Sequence, residues 1–360
     1  MTGRAKFGAD YSLPGMLIGN VLRSPHAHAR IRSIDTSKAE ALPGVKAVIT
    51  GTDFPDQPDE FIGAERVAQN FSHILRNVMA REKALYEGHA VAAVAATSSA
   101  IADEAISLID VDWQVLPHVI DVQDAMKDDA PLLWDDMLTR GVEPTPTKPS
   151  NISKRAQFIL GDLDKGFAAA DQVLEREFTT EAVHQGYIEP HAALAEYNEN
   201  GQGEIWCSSQ GHFQMRALTT KLMGLKLSDV RVTPAEIGGG FGAKTVVYLE
   251  PLALNLSRKS GSAVKMVMSR EEVLRATGPT SGAWMKIKIG ITKAGKITAA
   301  EGTFAFQAGA FPGSPVLNGC MYAFAPYDIE NVLTVGFDVV SNRPKAAAYR
   351  APGSPIAAYG

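Results

Sequence analysis

The sequence is poor in cysteine. Of 360 residues only Cys207 and Cys320 carry a thiol, and they stand far apart in the chain. No short metal-ligand spacing exists between them. They cannot hold an iron–sulfur cluster, which takes four thiolates. So low a count also fits a reducing compartment. A basic surplus is missing as well: 35 Lys and Arg stand against 40 Asp and Glu, a net charge of −5. A protein dedicated to duplex nucleic acid carries excess positive charge, because contacts to phosphates supply most of its affinity. Long apolar runs are absent, so no membrane-spanning helix is expected. The N-terminal MTGRAKFGADYSLPGM has no uninterrupted apolar core and does not read as a signal peptide. These absences point to a cytoplasmic protein with no nucleic-acid partner and no membrane span.

What is present is ordinary for a globular chain, with 45% hydrophobic and 21% charged residues. At roughly 150 residues per domain the length suggests two domains, or three. Strand-like runs cover 16–22, 46–50 and 90–96, with an alternating run at 109–115. Ser98 opens a helical pattern carrying Ala105 and Ile106 on one face. The basic stretch Arg23 to Arg32 reads as a polar strand or loop edge. Residues 128–154 hold Asp128, Asp129, Asp135, Asp136 and four prolines, and are read as a linker. The expected division is a first domain over 1–127 and a second over 155–360. In the second, helical patterns cover 161–170, 211–223 and 246–257. Strands are read at 171–180, 205–208, 230–233, 265–268, 283–292 and 296–307. The class is mixed α/β.

Four places could carry chemistry. Gly238-Gly-Gly-Phe-Gly-Ala-Lys244 follows a strand and precedes a helical pattern. Glycines let the backbone approach a ligand closely and aim N–H groups at it, which suits anionic ligands; a structural turn is the alternative. The triphosphate-loop pattern G-x-x-x-x-G-K-S/T fits from Gly238 to Lys244 and Thr245 except where Ala243 replaces the second glycine. Arg350 precedes a Pro/Gly-rich turn in AYRAPGSP and is either a ligand-facing guanidinium or a surface residue. Glu189, His191 and His184 suggest either a metal triad or a buried, hydrogen-bonded histidine. Gln210, just past a strand, offers a side-chain amide.

These segments fall into one order. TGRAKFGADYSLPGML, LRSPHAHARIRSIDTSKAEALPGVKAVITGTDFP and LYEGHAVAAVAATSSAIADEAISLIDVDWQVLP resemble the α/β-hammerhead domain of the molybdenum hydroxylases, the xanthine dehydrogenase and aldehyde oxidase family. EPHAALAEY, IWCSSQ, IGGGFGAK and AYRAPGSP follow in that family's order and resemble its first molybdenum-cofactor-binding domain, so nearly the whole chain is covered. The resemblance implies an oxidoreductase that hydroxylates a substrate C–H with oxygen from water. It implies a molybdenum pyranopterin cofactor, in bacteria often the cytosine dinucleotide form. It implies electron transfer to [2Fe–2S] clusters and FAD on partner subunits, since this chain lacks the cysteines for clusters.

By the same resemblance Gln210 matches the glutamine beside the molybdenum oxo group. Gly239, Gly240, Phe241 and Gly242 match the loop bordering pterin and metal, and Arg350 matches an arginine that faces substrate. Thr245 stands where purine oxidisers carry Glu, and Ala351 where carbon monoxide dehydrogenases carry Cys. An aldehyde or an N-heteroaromatic or other aromatic substrate is therefore expected. No protein metal ligand is assigned. The family's base is a glutamate near the end of a subunit about twice this length. None of Glu189, Glu196 or Glu250 matches it, so no catalytic residue is assigned and a C-terminal half is an expected partner. A non-catalytic structural or assembly module of the same fold, and a nucleotide-triphosphate-binding protein, are the alternatives.

Overall fold

The computed structural model describes residues 2–62 and 69–360. The expected first domain, 1–127, thus includes residue 1 and residues 63–68, which lie outside the described residues. Element ends follow local chemistry. The Ser98 side chain accepts from the Ile101 N–H and caps helix Ser99–Ser107, satisfying one of the N–H groups a helix start leaves unpaired. Gly224 closes helix His212–Met223 at φ 66°, a left-handed conformation that costs glycine nothing. The run 246–257 is helical only from Glu250, in Glu250–Ser260. Pro251 lacks an N–H and belongs in a first turn, where none is needed, so it sets the start. The glycine-rich stretch therefore passes into a short 3-10 turn, Ala243–Thr245, before the helix.

Two compact units divide the chain, each made of two segments. The first joins Met1–Leu116 to Gln185–Thr277; the second joins Pro117–His184 to Gly278–Gly360. These compact units are not the sequence division at 128–154, because sheet pairing joins early and late segments of the chain. In the first unit a seven-stranded sheet runs Val230–Pro234, Gly203–Cys207, Ala192–Tyr197, Val264–Val267, Leu17–Arg23, Ala90–Ala96, Val45–Thr50. Leu17–Arg23 lies parallel to Val264–Val267 and antiparallel to Ala90–Ala96, so early and late segments share one sheet. Ala90–Ala96 is buried at every residue. Its small side chains let Ala102 and Ala105 of helix Ser99–Ser107 pack onto Ala92, Val94 and Ala96. Ala29–Asp35, between Lys83–Ala84 and Asp110–Val115, forms a separate three-stranded sheet. The basic stretch enters that strand, and Arg23 pairs with Glu272 at 2.9 Å.

The second unit is built on a five-stranded sheet ordered Gln172–Thr180, Ala283–Ile291, Ile297–Gly309, Val332–Val340, Ile152–Leu160. Alternation in Ala283–Ile291 sends Met285 and Ile287 into a core with Phe304, Phe306, Val316 and Cys320. Phe304 and Phe306 are wholly buried, each worth about 2–3 kcal/mol. The stretch read as a linker is packed into this unit. Leu133 is buried, and the Trp134 Nε1–H donates to Ala310 O at 3.0 Å. Asn151 accepts from Leu133 N–H and donates to the Ala125 and Pro131 carbonyls, so one buried amide satisfies the irregular backbone around it.

Candidate functional site

The first unit brings Gln210 and the glycine loop together. Strand Gly203–Cys207 ends shortly before Gln210, and Val230–Pro234 pairs parallel to it. Both strands therefore deliver their following segments to one sheet end. Gln210 N–H donates to Lys244 O at 2.9 Å. Its side-chain Oε1 accepts from the Gly242 N–H at 2.8 Å and the Lys244 N–H at 3.2 Å. Two backbone donors on one atom identify it as the amide oxygen. The Nε2 amino group is left without a protein partner among the described residues, on an exposed residue.

The loop needs its glycines. Gly239 and Gly242 have φ of 100° and 110°. A Cβ on Gly240 would lie 2.6 Å from Gln210 Oε1, and one on Gly238 would lie 2.6 Å from Glu189 Cβ. Phe241 adopts φ 52° and is 55% exposed. Among the described residues only one other non-glycine has positive φ, Ala351 at 56°, next to Arg350. Such strain persists where surrounding contacts enforce it, and it gathers at functional sites. Both strained residues lie in segments singled out from sequence.

Glu189 and Lys244 hold the loop from behind. The Lys244 side chain is fully buried, with Nζ 2.7 Å from Glu189 Oε2. Glu189 Oε2 also accepts from the Gly238 N–H at 2.8 Å, and Oε1 from the Gly8 N–H at 3.1 Å. The Lys244 ammonium lies 5.1 Å from the centre of the Tyr187 ring. Burial pulls its pKa below the usual lysine range, against the pull of Glu189. This corrects the triphosphate-loop alternative. A phosphate-binding lysine must present its ammonium to the ligand, and this one is enclosed against a carboxylate.

His191 proves to be a buried, hydrogen-bonded histidine. Its Nε2 lies 2.9 Å from the Tyr187 hydroxyl, which also contacts Thr277 Oγ1 at 3.0 Å. Burial pushes the Tyr187 hydroxyl up to about 12. His184 belongs to the second unit. No group of three or more His, Cys, Asp and Glu among the described residues could hold a metal ion. Glu250 is buried, receives the Tyr248 N–H at 3.1 Å, and has its pKa raised by that burial. The Cys207 thiol is raised too, by burial and then by Glu250. Both cysteines are free and buried. The Thr245 hydroxyl donates to Gly242 O at 2.8 Å, so it braces the loop. Arg350 lies in the second unit and is exposed, before the turn at Pro352 and Gly353.

Sequence reasoning missed the Glu189–Lys244 pair. Both residues stood in segments already marked, but nothing local joins positions so distant in the chain.

Fold and loop together define a protein of the molybdopterin class. Residues 145–360 match the model of the molybdopterin cofactor-binding domain, and residues 2–117 match the a/b hammerhead domain of aldehyde oxidase and xanthine dehydrogenase. The chain belongs to the xanthine dehydrogenase and aldehyde oxidase family. A probable xanthine dehydrogenase component of Bacillus subtilis is 31% identical over 358 residues, 98% of this chain and 45% of its own length. The nicotinate dehydrogenase large molybdopterin subunit of Eubacterium barkeri is 29% identical over 360 residues, 99% of this chain and 79% of its own. The crystal structure of aldehyde oxidoreductase from Desulfovibrio gigas superposes with a TM-score of 0.85 at 26% identity, over 99% of this chain and 39% of that one. The chain thus spans less than half of the Bacillus and Desulfovibrio proteins.

Proposed function

We propose that this chain supplies the Gln210 and glycine-loop side of a molybdenum pyranopterin site, in an oxidoreductase that hydroxylates a C–H of an aldehyde or N-heteroaromatic compound with oxygen from water. The observation that carries the reading is the fixed Gln210 amide. With Oε1 engaged by two loop N–H groups, Nε2 of this exposed residue is left as the donor, suited to an oxo group. The cradle fits such a ligand, because any side chain at Gly240 would push into that amide. Gly239, Gly240, Phe241 and Gly242 would border the pterin, in the cytosine dinucleotide form. The bound group would supply the two-electron chemistry. This chain's residues bind and orient it, and a glutamate base would come from a C-terminal half. Arg350 would contact substrate, with Thr245 in place of the purine oxidisers' carboxylate. Electrons would pass to [2Fe–2S] and FAD partners. The division into a hammerhead region over 1–127 and a cofactor domain over 155–360 belongs to this proposal, as does a cytoplasmic location. Among the described residues no helix is long and apolar enough to cross a membrane.

The test is metal and pterin content of the chain isolated with its co-purifying partners, against the Gln210→Glu variant. A carboxylate still accepts the two loop N–H groups but donates nothing. Wild-type chain should carry molybdenum and pterin in equal amounts, and the variant should lose roughly tenfold, the scale of one lost charge-assisted or paired hydrogen bond. Wild-type chain without molybdenum would overturn the reading in favour of a structural or assembly module.

A further inference from the structure

The loop is tied at both ends to one residue pair. At its start, Gly238 N–H donates to Glu189 Oε2, and Glu189 N–H returns a bond to Gly238 O at 3.2 Å. At its end, Lys244 engages Gln210 through its N–H, and through its carbonyl, which also accepts from Ser209 Oγ at 3.2 Å. The Lys244 side chain then runs back to Glu189. The bonds form a closed circuit from Gly238 through Glu189, Lys244 and Gln210 to Gly242. Three positive-φ residues lie inside it, at 239, 241 and 242. A glycine-rich segment gains most conformational freedom when released, so its shape depends on what holds its ends.

We propose that the buried Glu189–Lys244 ion pair is the positioning device of the glycine loop, and that it thereby aims the Gln210 amide. The pair touches no ligand on this reading; it acts through the loop. What the amide faces rests on the proposed function above, whereas the positioning is a property of the chain alone.

Removing both charges together, in Glu189→Gln/Lys244→Met, avoids leaving one buried charge without its partner. The control is Val94→Ala, in the buried strand Ala90–Ala96, which lowers stability without touching the loop. Amide hydrogen exchange is measured on the full chain without cofactor. The double variant should exchange the Gly238, Gly242 and Lys244 amides roughly tenfold faster or more, a local opening, while the control leaves them at the wild-type rate. Unchanged amides in the double variant, or equal acceleration in the control, would overturn the proposal. Molybdenum and pterin content is the second readout, and it should fall with the loosened loop. A loosened loop with full cofactor content would overturn the functional reading while supporting the positioning role.

Discussion

Each unit contains a buried carboxylate that staples a glycine-containing turn, with a lysine nearby. In the first unit Glu189 takes the Gly8 and Gly238 N–H groups and pairs directly with Lys244. In the second, Asp338 takes the Gly313 N–H at 2.8 Å, the Ser314 N–H at 2.7 Å and the Ser153 hydroxyl. There Lys345 donates to Gly313 O at 2.9 Å and Ala346 O at 3.2 Å instead of to the carboxylate. The difference lies in what the staple supports. Asp338 closes a turn against the five-stranded sheet. Glu189 closes a loop whose other side carries an exposed, oriented amide and an exposed Phe241 in a strained conformation. The same device serves packing in one unit and presentation in the other.

The largest expected effect separates the two lysines. Lys244→Met strands the Glu189 carboxylate in a buried site without a cation, and should destabilise the first unit by roughly 3–5 kcal/mol. Lys345→Met removes hydrogen bonds to two carbonyls and should lower the second unit's stability by roughly 1–3 kcal/mol. Denaturant titrations of both variants check this, and equal losses would erase the distinction between paired and unpaired lysine.

Acid should separate the units next. His89, in the first unit, is wholly buried and its pKa falls to about 4 from an ordinary 6.5, chiefly through burial. Its Nδ1 accepts the Leu85 N–H at 3.2 Å and its Nε2 lies 2.6 Å from Arg76 O. That geometry fits the neutral ring with its proton on Nε2, and protonating Nδ1 would sacrifice a bond. The unfolded chain binds the proton more readily between pH 6.5 and 4. The stability from neutral His89 is therefore complete above 6.5 and lost as pH falls toward 4, on the order of 3 kcal/mol in all. Thermal unfolding at stepped pH should show the first unit weakening across that window, and His89→Gln should flatten the slope.

Much of this was legible in sequence, for local reasons. The cap at Ser98, the end at Gly224 and the alternation at Met285 to Ile289 depend on neighbours a few residues away. The glycine loop, Gln210 and Arg350 stood out because their residue types are unusual together. What was not legible depends on distant pairing. Leu17–Arg23 lies beside Val264–Val267, so each compact unit is assembled from two segments far apart in the chain. Lys244 read locally as a near phosphate-binding lysine, and only the fold reveals Glu189 beside it. Asn151 sat in a segment rich in proline and charge that looked like a linker, yet its amide binds that segment into the second unit.

The smallest stability effects give the sharpest version of the comparison. Gly313 has φ 109°, and a Cβ there would meet only the end of the Lys345 side chain, at 3.6 Å. Gly313→Ala thus incurs backbone strain alone, about 1–2 kcal/mol, and should leave cofactor content untouched. Gly240 is the reverse case. Its φ is ordinary, but a Cβ would lie 2.6 Å from Gln210 Oε1 and 2.9 Å from Cδ. Gln210 is exposed and can swing aside, and water can replace it on the exposed Gly242 N–H, so Gly240→Ala should cost only about 1 kcal/mol. The swing breaks the Oε1 bonds to Gly242 and Lys244 and turns the Nε2 donor away. Molybdenum and pterin content should fall even though unfolding is nearly unchanged. A Gly240→Ala chain with full cofactor content would mean that the amide's direction does not matter, and the two staples would then differ only in their lysines.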